Sequence, residues 1–178
     1  ILDKRKINKW KYTGKLRITC LAPAKAFKGY YTLKETLDSL WKSGRRDFEL
    51  KIYGFVPEKS PYMKVVNEGF THTDLQRIFE ETDILVAVSL CYETFGFTVL
   101  EALSYGVPVI VSDHVGAKDI IGKGGIIVEA GNSEELKITI ESLSEKKLER
   151  LRARVQTSVQ IKTWEQFLVE NYELYSCV

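Results

Sequence analysis

The chain has 178 residues, 44% of them hydrophobic and 28% charged, which is enough material for one domain with a substantial core. Its 26 lysines and arginines against 24 aspartates and glutamates leave a formal charge of +2, so charge makes no general case for nucleic acid as a partner. Cys20, Cys91 and Cys177 are far apart and odd in number, which argues against a paired disulfide framework and for a reducing, cytoplasmic setting. No run approaches the ~18 apolar residues of a membrane span, and a soluble chain is expected. Because the sequence starts at Ile1, a fragment of a longer protein is expected.

The first 14 residues include "DKRKINKWKY", in which Lys4, Arg5, Lys6, Lys9 and Lys11 accompany Trp10 and Tyr12. They read as a basic, exposed linker, with contact to a membrane surface as the lesser alternative. From Leu16 onward, short apolar runs alternate with helical periodicity. "LRITCLA" reads as a buried strand, and "YYTLKETLDSLWKSG" as a helix with Leu33, Leu37, Leu40 and Trp41 on one face, closed at Gly44. "FELKIYG" and the shorter "VVNEG" are strands, and "THTDLQRIFEETD" is a helix capped by Thr71 or Thr73. Next come the strand "ILVAVSL", the short helix "FTVLEALSYG" stopped by Gly106, and the strands "VPVIVSD" and "GGIIVEA". The remainder, from Ser133, is helical, and "EKKLERLRAR" reads as an amphipathic surface helix.

Strands alternating with helices predict an α/β domain, a Rossmann-like doubly wound parallel sheet of about six strands. Ligands bind such sheets beyond the carboxyl ends of the strands. The loops at 22–29, 54–62, 69–73 and 90–96 are therefore expected to converge on one crevice.

The chemistry concentrates in "CYETFGFTVLE". Gly96 lets the backbone approach a ligand, and a helix starting behind it leaves the amides of Phe97, Thr98 and Val99 available to an anion such as phosphate. Glu93 precedes that turn and Glu101 lies about one turn into the helix, so the two carboxylates flank an anion site and offer acceptors to hydroxyl groups. His72 and His114 read as polar loop residues. Cys91 lacks a base partner and reads as a small packing residue.

The stretch "ETFGFTVLE" resembles the E-x7-E motif of retaining GT-B glycosyltransferases, and "EALSYGVPVIVSDHVGAKDII" continues the family pattern. With "KG" at Lys28 and Gly29, "IYG", "EGFTHTDL" and a C-terminal helix bearing Trp164, the resemblance runs from Lys15 to about Tyr175. It is to the nucleotide-sugar-binding C-terminal domain of family four, the "group 1" type. The resemblance implies a donor domain over 15–178, preceded by a linker from an N-terminal acceptor-binding domain. It assigns Glu93 to the donor sugar's hydroxyls, Glu101 to the ribose, and the backbone from Phe95 through Gly96 and Phe97 to Thr98 to the sugar and diphosphate. Lys28 would stabilise the departing phosphate, and the backbone of Phe70 and Thr71 would pair with the nucleobase. Where the family commonly has an arginine five residues before the lysine, this chain has Pro23, and Lys25 is the candidate replacement, as a point charge in place of a fork.

The function so implied is transfer of a sugar from a nucleotide-sugar, UDP first and GDP or ADP next, to a glycan, lipid or other acceptor. No D-x-D triplet occurs, so a metal-independent reaction without a bound cofactor is expected. The fragment would bind donor without completing transfer unless joined to its N-terminal domain, and a peripheral membrane or lipid-linked acceptor is a possible partner. Two alternatives stay open: an epimerase acting on nucleotide-sugars, and a non-catalytic nucleotide-sugar-binding subunit.

Overall fold

The computed structural model describes residues 9–22, 24–159, 161–162 and 164–176. Pro23, Lys4, Arg5, Lys6 and Cys177 lie outside the described residues, and with them the expectations placed on these positions. Six strands, β1 (Leu16–Cys20), β2 (Phe48–Tyr53), β3 (Met63–Val66), β4 (Ile84–Ala87), β5 (Val109–Ser112) and β6 (Gly125–Val128), form one sheet in the order β3-β2-β1-β4-β5-β6. Every pairing is parallel. The order reverses between β1 and β4, which opens a crevice at their carboxyl ends.

Among the described residues six α-helices accompany the sheet: α1 (Tyr30–Lys42), α2 (Leu75–Glu80), α3 (Phe97–Ser104), α4 (Ser133–Glu141), α5 (Glu145–Ser158) and α6 (Trp164–Ser176). The two-residue period of the strands divides the core between the sheet's faces. Ile84 and Val86 join Leu33, Leu37 and Leu40 of α1 and Leu136 and Ile140 of α4 in one layer. Leu85 faces the other way, onto Ile78 and Phe79 of α2 and Val99 and Leu103 of α3. Helix α5 serves both layers, with Leu148 and Leu151 in the first and Val155 in the second.

The doubly wound architecture is as the sequence predicts, but the loop at 54–62 does not join the crevice as expected. Residues 54–62 contain no helix and run back along α1: Tyr30 donates to the Glu58 carbonyl at 3.0 Å, and Ser60 and Tyr62 donate to the Asp38 carboxylate at 2.9 and 2.7 Å. A strand that pairs in parallel with its predecessor must begin again at the same end of the sheet as that strand, and here the return path takes the loop away from the crevice. Between β5 and β6 the chain uses two 3₁₀ turns, Gly116–Asp119 and Gly122–Gly124.

At the opposite end of the central strands, before β4 and at the start of β1, sits a polar cluster that the sequence does not announce. The Asp83 side chain is fully buried and accepts from the Trp10 indole at 2.8 Å, the Arg17 amide at 2.7 Å and the Arg17 guanidinium at 2.7 Å. Arg152, expected on the surface of an amphipathic helix, is buried instead, because its guanidinium lies over the Trp10 ring at 4.8 Å and donates to the carbonyls of Gly106 and Thr82. A buried guanidinium is tolerated where carbonyls and a carboxylate compensate its lost hydration. The segment beginning at Lys9 is thereby fastened to the domain through Trp10.

Candidate functional site

Three loops meet over the reversal point. The 3₁₀ turn Ala26–Lys28 packs on the loop after β4, with the Phe27 carbonyl accepting from the Leu90 and Cys91 amides at 2.9 and 3.2 Å and from the Ser89 hydroxyl at 3.0 Å. Gly29 follows at φ 77°, and a Cβ there would lie 1.8 Å from the Val88 carbonyl oxygen, so any larger residue would part these loops. The third loop follows β5. The Glu93 amide donates to the His114 carbonyl at 2.9 Å and the Gly116 amide to the Glu93 carbonyl at 3.0 Å, which makes an isolated parallel bridge between Glu93 and Val115.

The crevice they enclose has a volume of about 190 Å³ and is lined by Lys28, Ser89, Glu93, Gly96, Thr98 and Val115, among others. Lys28 Nζ lies 3.0 Å from Glu93 Oε1, both side chains being mostly shielded. Gly96 enters α3 at φ 97°, where a Cβ would stand 2.8 Å from Val115 Cγ1. The Val99 amide is not available as the sequence suggests, since it closes the turn onto the Gly96 carbonyl at 3.0 Å. Among the described residues the amides of Phe97 and Thr98 have no protein partner, and they lie at the positive end of the helix. The Phe95 carbonyl accepts from Ala117. Its ring rests on Phe97, 5.3 Å between centroids, in an apolar groove shared with Leu100, Ile120, Ile161 and Phe167.

Glu101 is placed where the helical count puts it, one turn into α3. Its carboxylate is 13% exposed and lies 3.6 Å from His72 Nδ1. Burial raises its pKa above the ordinary glutamate value, and the nearby imidazole partly offsets that rise. His72 begins a 3₁₀ turn, His72–Asp74, introduced by Thr71. The Asp74 carboxylate accepts from both the Thr71 amide and its hydroxyl, at 2.9 and 2.8 Å, and the Thr71 carbonyl accepts from the Asp74 amide. The Thr71 N–H is thus committed within the turn, which leaves the Phe70 backbone as the unused part of this pair. The Phe70 ring is fixed edge-on against Tyr53, 5.5 Å between centroids.

Lys25 is exposed, with Nζ 5.6 Å from the centre of the Phe27 ring. His114, read from sequence as a surface residue, stacks on Tyr92 at 4.0 Å and contacts the Leu90 carbonyl through Nδ1 at 2.8 Å, so it shapes the loop that carries Glu93. No spacing in the sequence signals that pairing. Cys20 and Cys91 are free thiols. Among the described residues no group of three or more His, Cys, Asp or Glu is placed to hold a metal ion, and no helix is long and apolar enough to cross a membrane.

A parallel sheet in this order, with a lysine, a carboxylate and a glycine-led helix start at its switch point, defines a doubly wound α/β domain with a crevice at that point. The chain belongs to the group 1 glycosyl transferases, whose family model matches residues 15–146. It is 25% identical over 103 residues to O-antigen chain mannosyltransferase B of Escherichia coli, a match covering 56% of this chain and 23% of that protein. A glycosyltransferase from Rickettsia africae shares the fold with a TM-score of 0.69 at 22% identity, over 92% of this chain and 48% of that one. Anabaena HepE, solved in complex with UDP and glucose, has a TM-score of 0.69 at 17% identity, over 90% of this chain and 48% of its own. The chain thus spans about half the length of these solved structures, and at such identities the likeness is one of GT-B fold.

Proposed function

We propose that this chain is the donor-binding half of a retaining glycosyltransferase and that its crevice holds a nucleotide-sugar, UDP-linked in the first instance. The observation that carries the reading is the meeting of Lys28, Glu93 and the unpartnered Phe97 and Thr98 amides in one crevice, with Glu101 a helical turn away. The amides and Lys28 suit a diphosphate. Glu93 suits the hydroxyls of the sugar beyond it, and Glu101 those of the ribose. Phe70 offers its backbone to the base. HepE, solved with UDP and glucose, supports uridine as the first choice.

In the reaction the bond from the anomeric carbon to the terminal phosphate oxygen breaks, and an acceptor hydroxyl forms the new glycosidic bond on the same face. The proton of that hydroxyl passes to the departing phosphate. Lys28 and the two amides stabilise the charge that grows on this phosphate, which is where a preorganised cation acts on rate. The acceptor, a glycan or a lipid-linked sugar, would be supplied by an N-terminal domain. The Ile1 to Val178 chain alone then binds donor and transfers nothing.

Calorimetric titration of the chain with UDP, GDP and ADP tests the reading. Saturable binding of one of them, weakened by Glu101→Ala, is the expected result. If all three fail to bind at millimolar concentration, the crevice is not a donor site in this chain.

A further inference from the structure

The backbone of Glu101 is fixed in α3, where its carbonyl accepts from the Ser104 hydroxyl at 2.6 Å and the Tyr105 amide at 3.3 Å. Its carboxylate is held far less. The side chain is mostly buried, yet among the described residues the carboxylate accepts no hydrogen bond and its one ion-pair partner is His72, with Nδ1 3.6 Å from Oε1. Several torsions separate a glutamate carboxylate from its helix, and without a partner they stay unsettled until a ligand arrives.

His72 is placed the other way about. Its side chain is 86% exposed, so core packing does not hold it, but the turn that carries it is closed by its neighbours. The Asp74 carboxylate accepts from the Thr71 amide and hydroxyl, the Thr71 hydroxyl meets that of Thr73 at 2.7 Å, and Arg77 lies 3.4 Å from Asp74. The side chains of Thr71, Thr73 and Asp74 are thus occupied within the turn, while that of His72 reaches across to α3. The Thr71 amide, committed to the same turn, helps to build the frame that presents the imidazole. In either charge state a histidine can offer a ring N–H to a carboxylate, and a donor on one oxygen leaves the other free to accept from hydroxyl groups.

We propose that His72 is a positioning residue for Glu101, holding one carboxylate oxygen from its closed turn so that the other meets the ribose hydroxyls of the donor, an inference that rests on the donor-site reading above. A carboxylate aimed in advance costs the ligand less ordering on binding. Because the contact is open to solvent, its effect on affinity is modest.

The test titrates whichever of UDP, GDP and ADP the wild-type chain binds, together with its 2′,3′-dideoxy counterpart, which lacks both ribose hydroxyls. His72→Ala is expected to weaken the native diphosphate about threefold to fivefold and to leave the dideoxy ligand unchanged. His72→Asn, whose amide nitrogen stands in for Nδ1, should retain most of the wild-type affinity. In a Glu101→Ala background, His72→Ala should change nothing further. Circular dichroism melting of each variant checks that it folds, as a side chain this exposed allows. Unchanged binding of the native ligand by His72→Ala, an equal loss for the two ligands, an asparagine variant as weak as the alanine one, or a loss that persists without Glu101 overturns the role of His72 while the donor site stands. A wild-type chain that binds the two ligands equally overturns the ribose assignment of Glu101 and this inference with it. One that binds no diphosphate overturns the donor site as well.

Discussion

Lys28 and Glu93 meet at 3.0 Å across the crevice, one from the turn after β1 and the other from the loop after β4. In the proposed donor site, the cation that would meet phosphate and the acid that would meet sugar hydroxyls neutralise one another before a ligand arrives. Such a partly exposed pair contributes at most about 1 kcal/mol to stability. Lys28→Gln is therefore expected to leave the melting temperature nearly unchanged and to weaken nucleoside diphosphate binding by about tenfold or more. Glu93→Gln should act in the opposite sense on the bare diphosphate, strengthening it up to about fivefold by freeing Lys28, while the added affinity contributed by the sugar of the nucleotide-sugar is lost. Titration of both ligands against both variants checks the pair.

Burial of Glu101 sets a cost in stability against its proposed role in the donor site. Burial raises its pKa, so the folded chain keeps this proton to a higher pH than the unfolded chain does. Ionisation then works against folding: the loss begins as pH rises through the unfolded carboxylate's range near 4.5 and is complete above the folded pKa. Glu101→Gln should accordingly be more stable than wild type at neutral pH in urea denaturation, with the difference disappearing in acid. The same variant should bind nucleotide more weakly. Wild-type affinity is expected to fall as pH drops through the raised Glu101 value.

Gly96→Ala tests the turn that presents the amides. At φ 97° and with Val115 Cγ1 only 2.8 Å from the added carbon, alanine meets backbone strain and a clash together, for a loss of about 1–3 kcal/mol. Nucleotide binding should fall further than that destabilisation explains, because the Phe97 and Thr98 amides move with the turn. Chemical denaturation alongside titration separates the two effects.

Asp83→Ala is the matching experiment at the amino ends of the central strands. It removes the acceptor for Trp10 and Arg17 and a carboxylate that favours the charged Arg152, and a loss of about 3–5 kcal/mol is expected. Asp83 precedes β4 whereas the crevice follows it, so variant protein that remains folded should keep wild-type nucleotide affinity.

Strand and helix positions were legible because buried parallel strands are short apolar runs and the helices keep a clear face, as Leu33, Leu37 and Leu40 show. Lys28, Glu93 and Gly96 were legible as a local pattern, and the fold brings them together. Several features were not. Arg152 sits in a run of charged residues that looks solvated, and the groups that make its burial tolerable, the Trp10 ring, the Gly106 and Thr82 carbonyls and the Asp83 carboxylate, are all distant in sequence. The commitment of the Val99 and Thr71 amides depends on how each turn closes, a matter of backbone angles that residue type alone does not settle. The departure of residues 54–62 from the crevice follows from strand order, which periodicity does not encode.

The bridge between Glu93 and Val115 bears on how the protein meets its ligand. Glu93 is stitched on both sides of its peptide to the loop after β5, so its backbone freedom is surrendered when the domain folds and would not have to be surrendered to the proposed donor sugar. The ligand then has only side-chain rotamers left to settle. By the same stitching, a substitution in the 116–119 turn, far along the chain and touching no sugar itself, would be felt as a misaimed carboxylate.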